Sequence, residues 1–160
     1  AETVAGTMRL VQDFTSPKPG LHPIAMEIRY MGQDLMNPPT VEGWHTGEEW
    51  IDSGSLVERV NFVADQFSDV GQPGVRSMVD ELLGRAAELD PVTIIDGCLE
   101  LLGHVRLHDK NKDHLAGEVR CMLQQRSSFA AGSPEDQQAA ERTVLHTMKM
   151  IGSSREYQFA

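Results

Sequence analysis

The sequence predicts an all-α protein, a compact bundle of six or seven helices, and three observations carry that prediction. Apolar residues recur at helical spacing in one segment after another, no alternating β-branched run or Asn-Gly hairpin signal breaks them, and several segments open on their own capping residues. At 160 residues, with 40% hydrophobic and 24% charged content, the chain is long enough for one continuous core and too apolar for wholesale disorder. Residues 1–160 therefore read as a single helical domain.

Taken in order, Val4 to Val11 predicts a short first helix, and Gln12 to Gly20 a loop. Ile24, Ile28, Met31 and Leu35 mark a second helix, opened by Pro23. A long Pro/Gly/Trp-rich loop from Asn37 to Gly54 separates it from the third. There Leu56, Val60, Val63 and Phe67 share a face, and Ser55 with Glu58 forms an S-x-x-E capping box that would satisfy the free amides of a helix start. The Gly71-Gln72-Pro73-Gly74 turn introduces a fourth helix through Val75, Met78, Val79, Leu82 and Leu83. Asp90 and Pro91 read as N-cap and first-turn proline of a fifth, whose stripe of Ile94, Ile95, Cys98, Leu99 and Leu102 stops at Gly103. Leu115, Val119, Met122 and Leu123 give the sixth, and Ser127 to Gly132 a loop. Ser133-Pro134-Glu135-Asp136 repeats the cap-and-proline start, with its acids at the positive end of the helix dipole; Ala140, Val144, Leu145, Met148 and Ile151 follow as an apolar face. The eight methionines are spread over several of these helices, which fits core filling.

Charge narrows the function classes. Lys and Arg number 14 against 24 Asp and Glu, a formal charge of −10 and the wrong sign for neutralising phosphates, so nucleic acid is disfavoured as a partner. No run approaches the roughly eighteen apolar residues of a membrane span. The N-terminal AETVAGTMRLVQDF lacks the charged-then-apolar order of a signal peptide, so no export signal is expected within the sequence. Cys98 and Cys121 belong to no CxxC pair and read as two buried, inert thiols, with a disulfide open to an exported protein.

The loop between the second and third helices is densest in chemistry. Asn37-Pro38-Pro39 ends a helix, because a residue before proline is pushed out of helical angles, and Gly43 and Gly47 permit tight reversals. Trp44 and Trp50 then read first as apolar plugs of a structural corner. The same stretch offers a weaker ligand-binding set: Tyr30, Trp44 and Trp50 could stack on a sugar or grip a peptide, with His45, Glu48, Glu49 and Asp52 supplying polar contacts. Glu48 and Glu49 are adjacent, and their spacing from Asp52 fixes no catalytic acid pair.

Other candidates fail on spacing. His104 and His108 would share a face only if a helix ran through both, and Gly103 argues that it ends before them, leaving HVRLHDKNKDH as a polar, solvated loop. Asp109-Lys110-Asn111-Lys112-Asp113 opens like a calcium loop, but His114 stands where the turn glycine is needed and Arg120 where the bidentate glutamate is needed. His22, His45 and His146 sit beside no nucleophile, and Ser153-Ser154 forms no nucleophile elbow. No catalytic residue, metal or cofactor is expected from these patterns.

RYMGQDLMNPPTVEGWHTGEEWIDSGSLVERVNFV, Arg29 to Val63, resembles the G-Q-x-L-x-x-P-P-x-V-x-G-W signature of the bacterial proteins grouped as domain of unknown function 1800. VAGTMRL at Val4 to Leu10 and MKMIGSSREYQFA at Met148 to Ala160 are similar to the flanking and terminal segments of that family. Family members are much longer, so the resemblance implies the C-terminal part of a longer chain; it also implies an exported, cell-envelope setting on the periplasmic or extracellular side, often beside sulfatase-like proteins of another uncharacterised family. It brings no catalytic residue to any position here. The expectation is a non-catalytic structural or protein-interaction module whose partner is the upstream half of such a chain or another subunit. The alternatives are an envelope-polysaccharide module built on Trp44 and Trp50, and a fragment of an enzyme completed by the upstream half.

Overall fold

The computed structural model describes residues 2–11, 22–34, 36–43, 53–85, 90–103, 105–126 and 132–159. They form eight helices: α1 (Glu2–Val11), α2 (His22–Tyr30), α3 (Ser53–Ser68), α4 (Pro73–Arg85), α5 (Pro91–Leu101), α6 (Asp109–Arg126), α7 (Pro134–Gly152) and α8 (Arg155–Gln158). No strand occurs among the described residues. The first seven are those the apolar spacing predicts, and α8 is a single turn, too short for periodicity to register.

Capping explains most of the boundaries. The Asp90 side chain accepts from the amides of Val92 at 2.9 Å and Thr93 at 3.2 Å, with Pro91 in the first turn where its missing N–H costs nothing. Ser133 does the same for Asp136 at 3.1 Å ahead of Pro134. At the end of α5 the Leu102 amide returns to the Cys98 carbonyl, and Gly103 follows at φ 106°, a left-handed angle that glycine adopts without strain.

Three boundaries differ from the sequence reading. Ser55 does not cap α3: the helix already runs from Ser53, and Ser55 lies inside its first turn, buried. Phe62, Val63 and Phe67 keep their inward face. Helix α2 stops at Tyr30 rather than continuing to Leu35, because Gly32 at φ 84° closes it; its amide bonds the Arg29 carbonyl, and the Gln33 amide reaches back to the Ile28 carbonyl. Asp109 to Asp113 are helical, not loop, which also removes the calcium-loop comparison. That start is fixed from far along the chain: Glu156 Oε1 accepts from the His108 amide at 3.0 Å and from Asn111 Nδ2 at 2.8 Å.

Helix α7 is the hub, packed against α3, α4, α5, α6 and α8. Val144, Met148 and Ile151 on α7 join Val63 and Phe67 of α3, Val75 and Val79 of α4, Ile95 and Cys98 of α5 and Val119 of α6 in one apolar cluster. Each such side chain contributes roughly 1.5–3 kcal/mol by leaving water. Glycines at two of the helix contacts permit close approaches. A methyl on Gly74 would sit 1.9 Å from the Leu10 carbonyl oxygen, and one on Gly152 would sit 2.5 Å from Val63 Cγ1.

The chain's last turn is clasped into this core. Ser154 Oγ caps α8 through the Tyr157 amide, and the Tyr157 ring meets Phe67 edge-on at 6.2 Å. Gln158 is buried, its amide donating to the Gly152 carbonyl at 2.7 Å while Arg59 donates to both its side-chain and backbone oxygens. Of the two thiols, Cys98 is buried as expected, but Cys121 is exposed, because it lies on the solvent side of α6, where only Leu115 and Val119 are buried. Both are free, so the disulfide option falls.

Candidate functional site

The signature between α2 and α3 resolves into a helix stop and two tight turns. After the Gly32 closure, the Asn37 amide bonds the Asp34 carbonyl at 3.1 Å and Asn37 Nδ2 bonds Asp34 Oδ2 at 3.1 Å. Met36 stands third in that turn at φ 66°, the one non-glycine residue with a positive φ among those described. Pro38 and Pro39 then stiffen the backbone into the second turn, in which the Gly43 amide bonds the Thr40 carbonyl at 3.1 Å and the Thr40 hydroxyl donates to the Gly43 carbonyl at 3.0 Å. Gly43, at φ 103°, supplies the angle this turn needs. The glycines and prolines of the motif therefore have a local purpose: they set backbone, not chemistry.

What the turns do with their side chains is the informative part. Every residue from 36 to 42 is exposed. Met36 is 93% exposed, Val41 at the tip of the second turn is fully exposed, and Tyr30 at the end of α2 is 57% exposed. The corner, over its described half, turns apolar groups outward rather than plugging them into the bundle. Tyr30 is the one member of the sequence-derived ligand set in the described residues; Trp44, His45, Glu48, Glu49, Trp50 and Asp52 lie outside them. Met36 and Val41 are additions that apolar spacing misses, since both sit in turns. The signal that could have found them is the turn chemistry of Asp34 to Asn37 and Thr40 to Gly43.

The charged surroundings are acidic. Glu27, Asp34 and Glu42 stand against Arg29, which pairs with Asp34 at 3.6 Å; Glu27 and Glu42 have no ion-pair partner among the described residues.

Elsewhere, several ionisable groups are matched within the fold. On α6 and α7, His146 Nε2 lies 2.9 Å from one oxygen of Glu118 and His114 Nε2 lies 3.3 Å from the other, and the His146 hydrogen bond chiefly holds the Glu118 carboxyl below its ordinary range. The two imidazoles address opposite oxygens, so the three donors do not converge, and no metal-holding group of three or more such side chains occurs among the described residues. Asp136 is held low by Arg126, at 2.6 Å, and then by the Gly132 amide. An open groove of about 340 Å³ between α4 and α5 is lined by Leu82, Arg85, Val92, Asp96 and Glu100 among others. Its charges are already matched, with Arg85 paired to Glu81 and Glu100 and Asp96 paired to Lys112. His104 lies outside the described residues. Among the described residues no helix is long and apolar enough to cross a membrane.

No curated protein and no solved structure matches the chain. A family model does, over residues 1–159, and its match includes the double turn just described. The chain therefore belongs to the family of proteins of unknown function designated DUF1800.

Proposed function

We propose that the chain is a non-catalytic helical interaction module of an exported bacterial cell-envelope protein, acting on the periplasmic or extracellular side. In this reading the bundle is a rigid base, and the segment from Tyr30 to Val41 is the part that meets a partner protein. That partner is the upstream half of a longer DUF1800 chain or a separate subunit. The single observation that supports the reading is the double turn: its hydrogen bonds hold Met36 and Val41 in solvent instead of in the core. A corner that served only to connect α2 to α3 would gain more by burying them.

Site-specific photo-crosslinking in the native host tests this. A photoreactive residue placed at Val41 should capture one discrete protein species, whereas the same residue at Lys110, an exposed position on α6, should not. Absence of an adduct from Val41, equal capture from both positions, or an adduct that is polysaccharide rather than protein would contradict the proposal.

A further inference from the structure

Resting on that reading of the double turn, we infer that Met36 is its central anchor and that the surface it docks against is basic, an apolar pocket rimmed by Lys and Arg on a partner protein. Exposure alone would not single out one apolar side chain as an anchor. Met36 is different, because it combines exposure with backbone strain. A left-handed angle costs a non-glycine residue about 1–2 kcal/mol, and the third position of a turn with positive φ favours glycine or asparagine. At 93% exposure the methionine recovers none of that cost by burial in its own fold. The paired Asp34–Asn37 hydrogen bonds and the prolines that follow hold the backbone there regardless. Strain kept in place by its surroundings marks a site of contact. Methionine suits that role, since its unbranched, polarisable side chain fills irregular pockets. The pre-set backbone also reduces the ordering cost of binding.

The sign of the partner follows from charge. Asp34 and Glu42 flank the anchors in the two turns, the only guanidinium in residues 22–43 is Arg29, and Arg29 is already engaged with Asp34. The chain as a whole carries −10. An acidic partner would meet like charge at Glu42, whereas Lys and Arg around an apolar pocket would neutralise it and speed the encounter.

The test uses two defined probes, an amphipathic helical peptide of leucine and lysine and its counterpart with every lysine replaced by glutamate. Methyl-labelled methionine gives one reporter for each of the eight methionines, and M36L identifies the Met36 signal. The Met36 methyl should shift with the lysine peptide while the buried Met8, Met78 and Met148 stay still. The glutamate peptide should bind at least about tenfold more weakly, and raising salt from about 50 to about 500 mM should weaken the lysine peptide by about tenfold. Equal binding of both peptides at Met36 overturns the basic partner while leaving the contact reading intact. Perturbation confined to other methionines, or none, alongside a discrete Val41 crosslink, overturns Met36 as anchor but not the module.

Discussion

At the residue scale the fold uses its charges to close its own ends, and each such group has a measurable signature. Asp136 has its carboxyl pKa lowered, first by the Arg126 hydrogen bond and then by the Gly132 amide. A carboxyl whose folded pKa lies below its unfolded value stabilises the protein above the unfolded value, here 3.8, and that contribution is lost as pH falls through the folded one. Asp136→Asn should therefore be less stable than wild type at neutral pH, and the gap should narrow in melting curves taken below about pH 4. A gap that widens on acidification would contradict the assignment. The two cysteines differ in the same local way. Burial pushes the Cys98 thiol up to about 12, while Cys121 is exposed. A disulfide-exchange reagent at neutral pH should titrate one thiol in the native protein and a second only after unfolding; two fast thiols would mean that α5 is less closed than its packing indicates.

At the element scale, the contacts that matter most are backbone approaches and long-range clasps. Gly74→Ala places a methyl against the Leu10 carbonyl, a backbone atom that cannot rotate away, and should cost about 1–3 kcal/mol in denaturant unfolding. Gln158→Ala should cost about 1–3 kcal/mol, because it removes the side-chain acceptor of Arg59 Nε and the side-chain donor to the Gly152 carbonyl, although the residue is nearly the last in the chain. Wild-type stability for either variant would mean that the α1–α4 contact or the terminal clasp is dispensable. Helix identities are legible in the sequence because Ile95, Val119, Val144 and their neighbours follow the 3.6-residue repeat directly. Boundaries set by nearby residues, such as Asp90 with Pro91, are legible too. Boundaries set by distant ones are not: nothing near His108 announces that Glu156 will fix the start of α6, and nothing near Ser154 announces that Gln158 will be buried.

At the scale of the whole molecule, the bundle places a stiff, acidic double turn at one edge of a core organised on α7. The signature is legible in the sequence as a corner, because its glycines and prolines dictate backbone. Its outward side chains are not, because apolar composition suggests burial until the turn geometry shows Met36 and Val41 facing water. Met36→Asn separates a strained docking residue from a merely awkward corner in one substitution. Asparagine tolerates left-handed angles, so the variant should melt about 2–4 °C higher than wild type, while the crosslink from Val41 should fall by about tenfold or more. A more stable protein that captures its partner poorly is the expected outcome. A variant that melts lower, or one that keeps the full crosslink, would contradict the docking role of the double turn.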